Sequence, residues 1–167
     1  MILAVRHENT YIAHTIGGRM IKRYNYLKIH IKAELESIET LYELAINPGT
    51  ITNYEKIKIQ NSEKKSPQEK FIIKISEIKS KVDQERDEMI DLYENIKYIL
   101  SLLKEKDAYL IEQLDLNDKT LIQVADILKI KSLKYLSNKH YDARKNFRDL
   151  QNKMFDLKDG RYVVKSG

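Results

Sequence analysis

The sequence predicts an all-α fold: a long antiparallel helical hairpin or coiled coil, followed by a C-terminal helix-turn-helix. Three observations predict it. The 167 residues hold only five Gly and two Pro, too few punctuating residues for a turn-rich β architecture. Apolar residues recur at helical spacing over most of the length, and one run from Phe71 to Leu103 alternates by four and three without a slip. The net positive charge lies in the last third. Residues 119–167 carry twelve Lys/Arg, five Asp and no Glu, a net of +7, whereas residues 1–118 carry eighteen basic and twenty acidic residues, a net of −2.

Composition narrows the class further. Charged residues make up 33% and mean hydropathy is −0.55, so the core must be thin. The absence of Cys removes disulfides, cysteine zinc sites and thiol catalysis, and suits a reducing cytoplasm, where the protein is expected to reside. Met1-Ile-Leu-Ala-Val5 is too short an apolar run for a signal peptide and is followed at once by Arg6-His7-Glu8. No stretch approaches the roughly eighteen apolar residues of a membrane-spanning helix, so no membrane partner is expected.

Residues 1–18 show no period, end in Gly17-Gly18, and are expected to form an N-terminal arm. From Arg19 to Ile46, Tyr24, Leu27, Ile31, Ile38, Leu41 and Ala45 form one helical stripe, which Asn47-Pro48-Gly49 terminates. Residues 47–65 are polar and read as a loop. Ser66-Pro67-Gln68-Glu69 is a capping box with Pro at the first helical position, and it opens the long helix. Its stripe of Phe71, Ile75, Ile78, Val82, Glu85, Met89, Leu92, Ile96, Ile99 and Leu103 holds a 3.5-residue repeat, a coiled-coil seam. At about 1.5 Å per residue such a helix runs roughly 57 Å. The preceding helix, folded back as an antiparallel hairpin, covers part of it, and a second chain is expected to cover the rest. Glu85 reads as solvent-facing at a gap in the seam, the alternative being a buried polar group that sets register.

Residues 19–105 thus form the hairpin and 106–157 the next domain, with 158–167 as a frayed tail. In 106–157, Asp107 is placed to cap a short helix through Leu114, and Asp115–Asp118 reads as a polar turn. Thr120 or Asp118 caps a helix whose inner face is Leu121, Val124, Ala125 and Leu128. A turn at Lys129–Lys131 leads to a last helix from Ser132 to about Asp156, with Leu136, Ala143, Phe147, Leu150 and Met154 inward.

Two helices crossing over a short turn need a small residue at the crossing and apolar residues around it; Ala125 is the small one, and Val124, Leu128 and Ile130 are the packing ones. Here the sequence resembles the sigma-factor region-four helix-turn-helix, whose usual run is Leu-x-x-Ile-Ala-x-x-Leu-Gly-x-Ser followed by an apolar residue four on. More specifically it is similar to sigma-like phage late-transcription regulators of the ArpU type, in architecture over residues 19–150 and in motif over 120–147. Lys129 stands where that family usually has Gly. One extra turn residue is needed to place Ser132, Leu136, Ala143 and Phe147 on the family's positions. The resemblance implies activation of late viral genes through the host RNA polymerase.

In such a motif the second helix enters the major groove with its first two turns facing base edges. Leu133, Lys134, Ser137, Asn138 and Tyr141 are therefore the base-reading candidates; Asn can bond adenine and Lys can donate to guanine. Lys131, Lys139, Arg144, Lys145 and Arg148, with Thr120 and Gln123 at the start of the first helix, are the phosphate candidates. Neutralising about six phosphates would give a log–log salt slope of roughly −5.

Other signals carry less. His7, His14, His30 and His140 show no metal spacing with a third ligand nearby, so neither metal nor cofactor is expected. Gly17-Gly18 lacks a phosphate-loop pattern, and the acidic pairs read as solvated faces. Tyr24 and Tyr98 lie near helical stripes and read as packing. No catalytic constellation is found, and an enzyme is not expected. The leading expectation is a transcriptional regulator that binds double-stranded DNA as a homo-oligomer, a dimer first. Its rivals are a DNA-packaging adaptor resembling a small terminase subunit, and a coiled-coil interaction protein with no nucleic-acid role.

Overall fold

The computed structural model describes residues 19–46 and 66–166; the expected arm and the 47–65 loop lie outside the described residues. The described chain is all-α apart from one small hairpin. Helix α1 spans Arg19–Ile46 and α2 spans Pro67–Leu102. Helix α3 (Glu105–Ile111) widens into a π-turn at Glu112–Leu116, followed by α4 (Leu121–Leu128) and α5 (Leu133–Met154). Strands β1 (Phe155–Lys158) and β2 (Arg161–Val164) close the described order.

The chain divides into two compact units, and the division does not fall at the expected 105/106 boundary. One unit is Leu27–Met89; the other joins residues 19–26 of α1 to residues 90–166. The start of α1 and the end of α2 thus belong with the C-terminal helices. Sequence periodicity treats each helix as one object, whereas packing assigns its turns separately.

Within Leu27–Met89, α1 and α2 run antiparallel. Ile38, Leu41 and Ile75 form a buried cluster with Phe71 and Ile78 packed against it. The Ser66 box forms as the sequence predicts: the Glu69 amide donates to Ser66 Oγ, and the Ser66 amide donates to the Glu69 carboxylate, each at 3.2 Å. Lys79 Nζ donates to the Tyr42 hydroxyl at 2.8 Å across the helices. The seam itself differs from expectation in two ways. Every seam position from Phe71 to Leu103 is already buried or half-buried within the single chain, where a second chain was expected to cover part of it. Glu85 does not face solvent: its side chain is 12% exposed and accepts from His30 Nδ1 at 3.0 Å. It is the buried-polar alternative, matched across the hairpin by Glu34 and His30.

In the other unit, Met20 and Ile21 of α1, Leu92, Ile96 and Ile99 of α2, and Val124, Ala125, Leu136, Ala143 and Phe147 of the last helices are buried. Tyr24 stacks on Tyr93 with ring centroids 5.7 Å apart, as packing requires, but Tyr98 is 50% exposed. Gln151, itself buried, accepts from the Met20 amide at 3.4 Å and so satisfies one of the orphan donors at the start of α1. The short helix begins at Glu105 behind Lys104 with no side-chain cap, so Asp107 is an internal first-turn residue; its carboxylate accepts from Asn146 at 3.0 Å.

The expected frayed tail is instead an antiparallel hairpin. Phe155 pairs with Val164 and Lys158 with Arg161 around Asp159-Gly160, whose φ values are 51° and 77°. Two successive positive φ angles define the two-residue turn that matches strand twist, and Asp-Gly is a preferred sequence for it. The final helix stops at Met154 because Phe155 turns to an extended backbone and buries its ring.

Candidate nucleic-acid interface

The helix-turn-helix is built by local chemistry at each of its joints. Thr120 Oγ1 accepts from the Gln123 amide at 3.2 Å while Gln123 Oε1 accepts from the Thr120 amide at 2.9 Å, a reciprocal capping box. These two expected phosphate contacts are therefore engaged in starting α4. At the other end Lys129 adopts φ 56°, ψ 38°, the left-handed conformation usually left to Gly. This lets the Lys129 amide reach the Asp126 carbonyl at 3.3 Å and the Ile130 amide reach the Ala125 carbonyl at 2.9 Å, closing the helix. The left-handed geometry that Gly adopts without cost is here adopted by a Lys. Ser132 then caps α5, its Oγ accepting from the Tyr135 amide at 3.2 Å.

Ala125 and Val124 are buried as the crossing requires, but Leu128 is 40% exposed and does not lie on the inner face. Ile122 and Ile127 are also exposed. Ile122, Ala125, Ile130 and Leu133 line an open cleft beside the turn, flanked by Lys129 and Lys131.

All five base-reading candidates, Leu133, Lys134, Ser137, Asn138 and Tyr141, are exposed. At about 100° per residue they occupy some 140° of arc on α5, and Lys145 and Arg148 fall within the same arc. The buried residues Leu136, Ala143 and Phe147 lie on the opposite side. Lys145 is exposed and Arg148 half-buried. Lys131 is exposed in the turn. Lys139 lies off the stripe, its ammonium 5.5 Å from the Tyr135 ring centroid.

Arg144 is a correction. It is not a free surface cation: its guanidinium makes a forked ion pair with Asp115, Nε lying 3.1 Å from each carboxylate oxygen and Nη2 bonding Oδ1. His140 Nε2 bonds the same carboxylate at 2.9 Å. The Asp115 side chain is 5% exposed, on the π-turn that the sequence reads as a polar surface turn. Its backbone carbonyl accepts from Asn25 Nδ2 at 2.8 Å, which ties α1 into the same joint. Burial pushes the Asp115 pKa up, but hydrogen bonds and positive charge from His140 and Arg144 outweigh it and hold the carboxyl below its usual range. The joint is structural. It orients α5, and the sequence signal for it was faint: one Asp far from its partners in the chain.

Compared with family models, curated proteins and solved structures, the chain matches none.

Proposed function

We propose that this protein is a sequence-specific DNA-binding transcriptional regulator that reads the major groove with the first turns of α5. The observation that carries this reading is the exposed stripe of Leu133, Lys134, Ser137, Asn138, Tyr141 and Lys145, continued by the half-buried Arg148, on a helix capped at Ser132 and crossed by α4 at Ala125. Polar and cationic side chains along one exposed face supply the two kinds of contact a duplex needs, phosphates for position and base edges for sequence. The net of +7 confined to residues 119–167 adds the long-range attraction. Resemblance to sigma-like regulators of the ArpU type adds late viral promoters as the target and host RNA polymerase as the partner, with activation as the direction of control. A homodimer is the assembly proposed, since a helix-turn-helix pair of two-fold symmetry matches two half-sites one helical turn apart.

The test is titration of labelled duplexes followed by anisotropy. Substituting Asn138 and Lys134 by Ala should relax sequence preference, each good base contact contributing about 1–3 kcal/mol of discrimination. Substituting Lys145 and Arg148 should weaken all duplexes alike. Undiminished binding by the fourfold variant would remove the proposed face. Light scattering separates the rival: a ring of subunits favours a packaging adaptor over a regulator.

A further inference from the structure

One layer of the hairpin within Leu27–Met89 breaks the apolar seam from both sides. Helix α1 places His30 and Glu34 one turn apart on one face, and α2 places Lys81 and Glu85 opposite them. His30 Nδ1 and carboxylate oxygens of Glu34 and Glu85 all lie within 4.8 Å of one another. The Glu34 and Glu85 side chains are 15% and 12% exposed and that of His30 is 29%. Two carboxylates held together in a half-dry seam repel, and each is costly to bury charged. Lys81 offsets part of this, its ammonium 3.0 Å from Glu34 Oε1 and 3.7 Å from Glu85 Oε1. It does not complete the layer: Glu34 Oε2 is fully buried and accepts no hydrogen bond, and it lies 3.7 Å from His30 Nδ1.

We propose that His30, Glu34 and Glu85 form a divalent transition-metal site, with zinc the ion their donor set fits best. One imidazole nitrogen and two carboxylate oxygens make a borderline set of three protein ligands, which leaves a position for water. The carboxylate–imidazole mixture disfavours calcium and magnesium, which take oxygen alone. Bond lengths of about 2 Å to each donor require the three side chains to close slightly on the ion, by side-chain rotation and without movement of either helix. The Lys81 side chain is 57% exposed and swings outward on its flexible stem, so that the ion takes over its charge role. The bound ion joins α1 to α2 and fixes the register of the hairpin. This site lies outside the DNA-reading unit, so the two proposals stand or fall separately.

The test uses the tag-free full chain with zinc chloride, and cobalt(II) chloride as the spectroscopic probe. The expected result is one zinc per chain after gel filtration, a higher melting temperature with zinc, and visible cobalt bands of low coordination number. His30→Ala and Glu34→Gln should each weaken binding by about tenfold or more, matching or exceeding what loss of an outer-shell partner costs. Lys81→Ala keeps every ligand and removes the competing ammonium, so it should bind zinc more tightly; circular dichroism confirms that each variant remains helical. No zinc retained by the native chain at micromolar concentration overturns the site. Equal affinity in the native chain, His30→Ala and Lys81→Ala overturns it as well, because the ion is then held elsewhere.

Discussion

Lys129 holds a left-handed backbone that its side chain disfavours, and the closure of α4 depends on it. Left-handed geometry costs an L-residue about 1–2 kcal/mol, while Gly loses about 0.4–1 kcal/mol through the freedom of its unfolded chain. Lys129→Gly should therefore stabilise the fold by up to about 1 kcal/mol in chemical denaturation, whereas Lys129→Val should destabilise it. Asp115 is the second residue on which the interface depends. Removing its carboxylate strands Arg144 and His140, so Asp115→Ala should cost about 2–4 kcal/mol, toward the lower end because Arg144 can partly rehydrate. The lowered Asp115 pKa fixes the sign of the pH response. Between the folded and unfolded values the unfolded chain binds more protons. The stability from Asp115 is thus complete above the ordinary value of about 3.9 and is lost as pH falls through the lower folded value. Acid unfolding followed by circular dichroism should show this limb in the native chain and lose it in Asp115→Asn.

The terminal hairpin is an element of the folded core and not an appendage. Phe155 is 6% exposed, and the Lys165 amide donates to the Met154 carbonyl at 2.8 Å, tying the end of β2 back to the end of α5. Tyr162 is half-buried, and burial raises its hydroxyl pKa to about 12 against the opposing charge of Arg19. Phe155→Ala should cost about 3–5 kcal/mol, the range for emptying a buried aromatic site, and thermal melts would measure it. The hairpin was legible in principle, since Asp159-Gly160 between short alternating runs is a strong turn signal, but four-residue strands give too little periodicity to weigh against a chain terminus. The long second helix was legible because nine apolar residues among ten stripe positions and a complete capping box repeat the same message.

At the scale of the molecule, charge segregation matters more than any single contact. With Arg144 held by Asp115 and Lys139 off the stripe, the phosphate set reduces to Lys131, Lys145 and Arg148, and Thr120 and Gln123 are engaged at the cap. Three neutralised phosphates give a log–log salt slope of about −2.7, shallower than the roughly −5 that about six phosphates would give. Measuring duplex affinity across salt concentrations tests that count: a slope near zero contradicts duplex binding by this face. The two compact units each take turns from both long helices, a partition that follows contact and not chain order.

The sequence by itself determined the helices, the Ser66 capping box, most of the stripe that each buries, and the exposed cationic face of α5, because these depend on residues a few positions apart. Only the tertiary structure decided that Arg144 serves Asp115, that Glu85 meets His30 and Glu34, and that the seam is covered within one chain. The physical reason is distance along the chain. A charge pattern shows which side chains are cationic or acidic, but whether water or a buried counter-charge satisfies each depends on residues 29 or 55 positions away. No local period records such a pairing.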